Sequence, residues 1–369
     1  MVRPRRTYQT AEDRWAGVGP YYAMFPVSFS DSVIGKFTAP GDMVLDPFAG
    51  RGTSLFSAAA QKRIGIGIEL NPVGWVYART KLSPAPQEAV ADRIAMIGCS
   101  AERYRRASDE LPDFFELCFT PRVQRFLLAA RELLDWRRNQ TDRTTMALLL
   151  VHLHGKRADS LSNQMRQTKS MSPDYALRWW RQRRMSPPAL DPVSFLTRKL
   201  EWRYAKGVPE AARSHVYLGD SITRLPELVA RARSGELPRA SLLFTSPPYF
   251  HLTNYHYDQW LRLWLLGGPP NAARIGGRYR GKFEGRVAYR ELLARVFGAA
   301  ANMMKRDAVV YVRTDRRAFT CRTTLEVLCD VFPRKKLLRR TRPVQGPTQT
   351  QLFGNGIPQP GDVDLVLLP

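Results

Sequence analysis

The sequence is short of cysteine and histidine, and it has no long apolar run. Its 369 residues include four cysteines and five histidines, with no C-x-x-C pair and no histidine at metal-ligand spacing from a cysteine. This pattern argues against a disulfide framework or a zinc centre and predicts a reduced protein without a metal site. No apolar stretch approaches the about 18 residues of a membrane span, and no apolar signal region follows the basic start MVRPRRTYQT. We therefore expect a cytoplasmic protein with no membrane partner.

Acidic residues are also in short supply. Asp and Glu number 33 against 57 Lys and Arg, which gives a formal net charge of +24 and a sequence pI near 10.4. This excess predicts a polyanionic partner, and nucleic acid is the first choice. The alternative is an arginine-rich proteome in which the basic faces are simply solvated. Composition leaves the choice between DNA and RNA open.

Short apolar segments alternate with helical ones, which predicts an α/β fold. Such alternation is typical of a mostly parallel sheet that is covered by helices on both faces. Residues 335–341 and 362–369 bracket a loop rich in Pro, Gly and Gln, and they predict a closing antiparallel hairpin. The predicted buried strands are residues 43–48, 63–70, 214–220, 240–245 and 307–314.

Between the second and third predicted strands the pattern changes to long helical periodicities, such as RVQRFLLAARELLDWRR. We predict a largely helical insertion, because strands on both sides of it are needed to complete one sheet. The predicted organisation is residues 1–84 as the first part of the α/β domain, 85–213 as the insertion, and 214–369 as the second part of the domain.

The first predicted strand ends at Asp46 and leads into a turn that carries Gly50 and Gly52. Glycines there let the backbone approach a ligand at the carboxyl end of an open α/β sheet. The next strand ends at Glu69, whose carboxylate can accept both hydroxyls of a ribose. Leu55 occupies the third glycine position of the dinucleotide pattern. The glycine turn and Glu69 together therefore indicate a ligand with a nucleoside but no pyrophosphate, such as S-adenosylmethionine.

The strand ASLLFT runs into the sequence TSPPY, where two prolines cannot continue a central strand. They hold a rigid extended turn that presents Ser246 and nearby carbonyl oxygens as acceptors, while Tyr249 offers a flat face. An exocyclic amino group needs such acceptors, and a base extruded from a duplex needs a stacking partner. A further strand, HVYLGD, ends at Asp220, which either receives an adenine amino group or caps the next helix.

Three motifs of the sequence resemble those of the S-adenosylmethionine-dependent DNA amino-methyltransferases. They are VLDPFAGRGT, GIELNP and TSPPY, in this order. That family methylates the exocyclic N4 of cytosine or N6 of adenine. The resemblance covers about residues 21–82 and 214–369. It implies a Rossmann-like class I methyltransferase sheet. In addition, the stretch YYAMFPVSFSDS resembles the family segment that closes over the methionine end of the cofactor. The residues it implies for binding S-adenosyl-L-methionine are Phe25, Pro26, Asp46, Phe48, Gly50, Gly52, Thr53, Glu69 and Asp220. Those it implies for catalysis are Ser246, Pro247, Pro248 and Tyr249.

Serine in the first position of the four-residue motif is associated, within the family, mainly with N4-cytosine methylation. TSPPY therefore favours site-specific methylation of cytosine in DNA by direct in-line transfer, with Ser246 and the Pro247 carbonyl polarising the amine. N6-adenine methylation, methylation of an amino group in structured RNA, and a non-catalytic nucleic-acid-binding module are the alternatives. An enzyme of this kind either protects sites from a partner restriction endonuclease or acts alone, at the nucleoid of a prokaryote.

Two basic segments are candidates for contact with double-stranded DNA. In the insertion, residues 155–188 combine arginines and lysines with Tyr175, Trp179 and Trp180, and Asn163 and Gln164 can read adenine. The alternative is that either tryptophan packs the insertion against the core. Residues 273–290 form a glycine-rich basic arm that would order on DNA. The predicted DNA-binding residues are Lys156, Arg157, Arg166, Lys169, Arg181, Arg274, Arg278, Arg280 and Lys282.

Overall fold

The computed structural model describes residues 8–20, 25–157, 159–210, 213–250, 255–272, 285–342 and 361–369. These residues divide into two compact units, each built from separate stretches of the chain. Unit 1 comprises the described residues among 1–21, 79–210 and 255–274, and unit 2 comprises those among 22–78, 211–254 and 275–369. The boundaries predicted from sequence, at 84/85 and 213/214, stay predictions.

Unit 2 contains one seven-stranded sheet, with the order β3-β2-β1-β4-β5-β7-β6. Neighbours from β3 to β5 run parallel, whereas β7 runs antiparallel to both β5 and β6. The predicted mostly parallel α/β sheet and its C-terminal antiparallel hairpin are thus confirmed. The strands are β1 (Met43–Asp46), β2 (Ile64–Glu69), β3 (His215–Leu218), β4 (Ala240–Thr245), β5 (Met304–Asp315), β6 (Lys336–Arg342) and β7 (Asp362–Leu368).

Helices cover the sheet of unit 2, and the period-two alternation of strand side chains explains why both faces need covering. On β1, Leu45 belongs to a core cluster with Leu228 and Val327. Its neighbour Val44 belongs to a second cluster with Ile34. The helices are α2 (Val27–Phe37), α3 (Thr53–Ala60), α12 (Ser221–Arg233), α15 (Arg286–Ala301) and α16 (Ala318–Val331), and α4 (Pro72–Leu82) runs across the division between the units.

Unit 1 is helical, as the sequence predicts for most of it. Its buried aromatics include Trp260 and Trp264, which form a cluster with Phe114 and Phe115. The helices are α1 (Ala11–Ala16), α5 (Gln87–Ser100), a 3-10 helix (Ala101–Tyr104), α6 (Arg105–Asp109), α7 (Asp113–Cys118), α8 (Pro121–Leu133), α9 (Gln140–His152), α10 (Pro173–Gln182), α11 (Pro192–Tyr204), α13 (Tyr255–Asp258) and α14 (Trp260–Leu265).

A buried polar network lies at the end of α9 in unit 1. The guanidinium of Arg262 is fully buried and donates to the Leu150 carbonyl at 2.9 Å and to the Gln167 carbonyl at 2.6 Å. His154 is also fully buried, with Nδ1 at 2.7 Å from the Arg166 carbonyl, and burial lowers its pKa well below the usual value. A neutral imidazole held in this way is a structural group.

Candidate functional site

Strands β1, β2 and β4 are parallel neighbours, so their carboxyl ends meet at one edge of the sheet. Asp46 closes β1, Glu69 closes β2, and Thr245 closes β4 directly before Ser246. The Thr245 hydroxyl donates to Asp46 Oδ1 at 2.6 Å. The glycine turn and the S-P-P-Y turn, about 200 residues apart in sequence, are thereby joined by one hydrogen bond.

Asp46 organises this junction from inside the protein. It is 2% exposed, and besides Thr245 it accepts hydrogen bonds from the Ser54 hydroxyl and from the backbone N–H of Phe48, the latter at 3.1 Å. Burial raises the pKa of Asp46 to about 6, against the lowering effect of these hydrogen bonds. Asp46 holds both turns in place, and its predicted direct contact with the cofactor stays a prediction.

The glycine turn is fixed to the end of β2 by a backbone contact. Gly50 N–H donates to Glu69 Oε2 at 2.6 Å, and both Gly50 (φ +55°) and Gly52 (φ +71°) adopt the left-handed conformation that favours glycine. A Cβ on Gly52 would lie 2.6 Å from the Cβ of Ala78. The turn therefore needs glycine at residue 52 both for its backbone angle and for the close approach of α4.

Leu55 occupies the third glycine position of the dinucleotide pattern, and β2 makes the space for it. A Cβ on Gly65 would lie 2.8 Å from Leu55 Cα, and one on Gly67 would lie 2.7 Å from Leu55 Cδ1. In the dinucleotide pattern the third glycine allows close packing of helix on strand. Here the alternating glycines of the strand IGIGIE perform that task, so α3 still packs closely on the sheet.

Replacing Gly52 with alanine should destabilise the protein more than the same change at Gly41. Both glycines have positive φ, +71° and +87°, so both variants pay a backbone cost of about 1–2 kcal/mol. A Cβ at Gly41 meets nothing within 4 Å, whereas at Gly52 it collides with Ala78. We expect Gly52→Ala to lose about 2 kcal/mol more than Gly41→Ala. Urea unfolding of the two variants measures this difference, and equal losses would show that the contact with Ala78 is readily relieved.

Glu69 is a buried carboxyl group held by backbone donors. It is 8% exposed, and its oxygens accept from Gly50 N–H and, at 2.8 Å, from Asn71 N–H. Burial raises the pKa of Glu69 to about 8, and the nearby Asp46 carboxylate adds to the rise. Such a group gains from any further donor, for example a pair of ribose hydroxyls.

Asn71 also belongs to this edge, and the sequence analysis did not single it out. Its Oδ1 accepts from the Val73 N–H at 2.9 Å, while its buried Nδ2 has no hydrogen-bond partner among the residues that the structure describes. An unsatisfied buried donor beside a buried carboxylate is costly unless a ligand supplies an acceptor. The only sequence signal for it is its place in GIELNP.

The S-P-P-Y turn follows β4 directly. Pro247 is buried, whereas Ser246, Pro248 and Tyr249 are half-buried. The Ser246 hydroxyl donates to the Tyr249 phenol oxygen at 3.5 Å, and the phenol donates to Asp362 Oδ1 at 3.3 Å. Burial raises the pKa of Tyr249 well above its usual value, and the negative charge of Asp362 raises it further. The phenol is therefore protonated throughout the neutral pH range.

Two residues of the predicted cofactor set contribute to packing in unit 2. Phe25 stacks on Phe244 of β4, with ring centroids 4.6 Å apart and planes 2° from parallel. Phe48 packs edge-on against Phe297, at 6.5 Å. Both rings pack against core clusters of unit 2, and their contact with a ligand stays a prediction.

The remaining predicted cofactor residues lie at helix starts. Pro26 and Asp220 precede α2 and α12 as N-caps, and Thr53 is the first residue of α3. The carboxylate of Asp220 accepts from Ile222 N–H at 3.0 Å. This is the helix-capping alternative for Asp220, and it leaves the predicted role toward adenine as a prediction.

A set of charged residues on β5 and β7 escaped the sequence analysis. Arg313 donates to both oxygens of the fully buried Asp364, with Nε–Oδ1 at 2.7 Å and Nη2–Oδ2 at 3.0 Å. Tyr311 donates to the same carboxylate at 2.8 Å, and the Arg313 guanidinium lies 3.5 Å from the ring centroid of Phe29. The available signal was the pair of aspartates within DVDLVLL, an apolar strand otherwise. Asp362 opens this strand and reaches Tyr249.

The predicted DNA-binding residues of unit 1 lie on and after the loop that follows α9. Lys156, Arg157, Arg166 and Arg181 are exposed. Arg157 Nε donates to a backbone carbonyl at 2.9 Å. Lys169 differs, because its Nζ lies 2.6 Å from a carboxylate oxygen of the buried Asp258. Arg274, Arg278, Arg280 and Lys282 lie outside the described residues. No observation tests any of these roles, and they stay predictions.

Burial differs among three residues that the sequence offers for DNA contact, namely Trp179, Trp180 and Asn163. Trp180 is fully buried and donates from Nε1 to the Gln164 carbonyl at 2.7 Å, so the packing alternative is correct for this residue. Trp179 is half-buried, with the Arg183 guanidinium 4.6 Å from its ring centroid. Asn163 is fully buried and its amide is hydrogen-bonded at both ends within the protein. Its suggested role in reading adenine is therefore wrong in this conformation.

The described part of the chain contains neither a cluster of potential metal ligands nor a helix that could span a membrane. No group of three or more His, Cys, Asp or Glu side chains there could hold a metal ion. Among the described helices, none is long and apolar enough to cross a membrane.

Comparison with known proteins gives one family match. Residues 2–74 match the model of a DNA methylase family, and this stretch contains the whole glycine turn and Glu69. No curated protein matches the sequence.

Two solved structures are similar at low sequence identity. The rRNA methyltransferase aviRa from Streptomyces viridochromogenes is 13% identical, with 98% of this chain and 95% of that chain covered and a TM-score of 0.35. TrmN from Thermus thermophilus is 11% identical, with 97% and 52% covered and a TM-score of 0.33. At these TM-scores neither structure adds to the description of the fold or of the site.

Proposed function

We propose that this chain, whose residues 2–74 match a DNA methylase family model, is an N4-cytosine/N6-adenine type DNA methyltransferase and methylates the exocyclic N4 of cytosine in double-stranded DNA. The observation that carries the proposal is the position of the S-P-P-Y turn. Its first residue, Ser246, follows directly on a strand whose end is hydrogen-bonded to the glycine turn through Asp46 and Thr245. A methyl donor on one turn and a target amine on the other would then meet at one sheet edge.

Ser246 and Pro247 would bind the target amino group. The amine nitrogen is a poor nucleophile because its lone pair is delocalised into the ring. Acceptors at Ser246 Oγ and the Pro247 carbonyl would polarise the two N–H bonds and favour a more tetrahedral nitrogen. Tyr249 would stack on the base once it has left the duplex. The residues thus orient the nitrogen for in-line attack without a covalent enzyme intermediate.

The residues at the β1 and β2 ends fit S-adenosylmethionine. When bound, that cofactor supplies a methyl group activated by a sulfonium centre. Glu69 would accept the ribose hydroxyls, and the Asn71 Nδ2 donor, which has no partner in the described chain, would gain an acceptor. Asp220 would receive the adenine amino group, and the turn through Gly50 and Gly52 would lie against the methionine part. The other residues proposed to line this site are Phe25, Pro26, Asp46, Phe48 and Thr53.

The basic residues of unit 1 would contribute to DNA binding. A net charge of +24 and exposed arginines on one helix and its preceding loop support a sequence-independent phosphate-binding term. Asp258 forms an ion pair with Lys169, whereas no carboxylate of the described residues forms one with the exposed Arg181 in α10. We further propose that the enzyme acts at the nucleoid, either paired with a restriction endonuclease or alone.

Replacing Arg181 by glutamine is expected to weaken DNA binding by a few-fold and to reduce the slope of log K against log salt by about one. The reason is the loss of one phosphate contact and of the counterions that it releases. Fluorescence anisotropy with duplex DNA at several salt concentrations measures the slope. Arg105→Gln, an exposed arginine of α6 outside the predicted set, is the matched control. An unchanged slope for Arg181→Gln would remove this residue from the DNA-binding set.

The proposed reaction is tested by nucleoside mass spectrometry. Unmethylated duplex DNA is incubated with the purified protein and methyl-labelled S-adenosylmethionine, with structured RNA in parallel, and digested to nucleosides. We expect label in N4-methylcytosine. Label in N6-methyladenine would overturn the choice of base and retain the site, whereas label only in RNA would overturn the DNA substrate. Failure to bind S-adenosylmethionine in calorimetry would favour a non-catalytic nucleic-acid-binding protein.

A further inference from the structure

Three side chains of unit 2 form a continuous hydrogen-bond chain that ends at the predicted target site. Ser246 donates to Tyr249 at 3.5 Å, and Tyr249 donates to Asp362 at 3.3 Å. Ser246 and Tyr249 belong to the turn after β4, whereas Asp362 is the first residue of β7, 113 positions further along the chain than Tyr249. The family resemblance assigned no role to Asp362.

The chemistry of the three groups fixes the direction of the chain. An ionised carboxylate can only accept hydrogen bonds, so the Tyr249 phenol must donate its single hydrogen to Asp362. The phenol oxygen then has only lone pairs to offer, and it accepts the hydrogen of Ser246. The Ser246 oxygen is thereby left with its own lone pairs directed elsewhere. A serine hydroxyl that rotates freely could instead present its hydrogen to the substrate.

We propose that Asp362 is a positioning residue that makes Ser246 a fixed hydrogen-bond acceptor for the target amino group, acting through the Tyr249 phenol. This inference rests on the proposed function, because an exocyclic amine has two hydrogens to donate and needs an acceptor. Asp362 touches neither substrate nor cofactor in this role. The two O–H···O contacts are longer than typical hydrogen bonds of this kind, as is common in active sites before the substrate binds.

Charged groups of β5 and β7 surround Asp362. Arg313 faces it and attracts it, while Nε and Nη2 of that guanidinium donate to Asp364. Asp364 and Asp315 face it as like charges, and Asp315 is paired with Arg317 at 2.7 Å. Burial and these two carboxylates raise the pKa of Asp362, while Arg313 and Tyr249 lower it. Asp362 is therefore the member of the chain whose protonation can reverse the direction of the hydrogen bonds.

A double-mutant cycle tests the inference on the full-length protein. We expect Asp362→Asn to lower kcat about tenfold with the KM for S-adenosylmethionine unchanged, since an amide can donate to the phenol as well as accept from it. Tyr249→Phe, which keeps the ring, should lower kcat by a similar factor. The double variant should be no worse than either single one, because both break the same chain. Asp307→Asn, an exposed aspartate of β5, is the matched control and should leave kcat unchanged.

The acid limb of the pH profile supplies a readout that a merely structural role would not move. In the wild-type protein kcat should fall as the pH drops through the raised pKa of Asp362, and this limb should be lost in Asp362→Asn. Independent, additive losses in the double variant, or a kcat of Asp362→Asn within about twofold of wild type, would overturn the inference.

A spectroscopic arm keeps the inference separate from the proposed function. Protein labelled with 3-fluorotyrosine gives ¹⁹F resonances, and the one that disappears in Tyr249→Phe belongs to Tyr249. Asp362→Asn should shift this resonance and lower the pH at which the phenol ionises, whereas Asp307→Asn should do neither. If wild type methylates no base, the proposed function fails, and the ¹⁹F result still decides the contact between Tyr249 and Asp362. An unshifted resonance would overturn the inference even for an active enzyme.

Discussion

Replacing Tyr249 by alanine is expected to lower kcat for methyl transfer about a hundredfold or more, with the affinity for S-adenosylmethionine kept within about twofold. The variant loses two things at once. The ring can no longer stack on the extruded base, which is worth about 1–3 kcal/mol. The phenol can no longer receive the Ser246 hydrogen, so the serine is not held as an acceptor. Among the described residues, the hydrogen bonds of Tyr249 go to Ser246 and Asp362, and those of Glu69 come from Gly50 and Asn71, so cofactor binding should remain.

Single-turnover methylation and calorimetric titration with S-adenosylmethionine measure the two quantities separately. Tyr249→Phe is the matched variant that keeps the ring, so the difference between Phe and Ala gives the contribution of stacking. Ser246→Ala should lower turnover by about tenfold to a hundredfold, because one of the two proposed acceptors of the amine is lost. A loss of cofactor affinity equal to the loss of kcat would show that the catalytic site lies elsewhere.

The sheet could be predicted largely because its signals are local. Apolar runs of four to eight residues bounded by Gly, Pro or Asp identify strands, and the helical segments between them imply parallel pairing. The same reasoning found the antiparallel hairpin that became β6 and β7. The insertion of β7 between β5 and β6 has no local signal, since it depends on which strand edge the assembled sheet leaves unpaired.

The candidate site was predictable where function demands short-range patterns. Gly50 and Gly52 are required by backbone angles, and the proline pair is required by a rigid turn, so both leave a mark in a few consecutive residues. Asp362 leaves none, because its contact with Tyr249 spans 113 positions and a single aspartate at a strand start is unremarkable. Trp180 is an intermediate case. With Ala176 it forms the buried i, i+4 side of α10, which the helical period could have indicated.

Glu69→Gln is expected to remove part of the pH dependence of stability in the protein without cofactor. In the folded protein the pKa of Glu69 is about 8, against an ordinary value of 4.5 for an exposed glutamate. The folded state therefore binds the proton more tightly than the unfolded state, and the free energy of unfolding falls as the pH rises from about 4.5 to about 8. The effect is absent below the unfolded pKa and complete above the folded one. The loss by pH 8 is on the order of a few kcal/mol.

The Asp46 carboxyl provides an internal control for this measurement. Its folded pKa of about 6 produces a similar fall in stability at lower pH, between about 4 and 6. Urea unfolding at a series of pH values should show both falls in the wild-type protein. In Glu69→Gln the fall between about pH 6 and 8 should vanish while the lower one persists. Persistence of both falls in Glu69→Gln would assign the upper one to another group, and absence of the upper fall from the wild-type protein would mean that Glu69 is already ionised at neutral pH.

The same substitution should weaken S-adenosylmethionine binding about tenfold to a hundredfold, because a carboxylate that accepts both ribose hydroxyls becomes an amide with one acceptor. In the wild-type protein the ligand favours the ionised carboxylate, so affinity should rise between about pH 6 and 8 and binding should release protons in that range. Calorimetry in buffers with different ionisation enthalpies measures the release. Proton release that survives in Glu69→Gln would assign it to another group. If Glu69→Gln loses both the proton release and the fall in the free energy of unfolding between about pH 6 and 8, one buried carboxyl both destabilises the free protein and binds the cofactor.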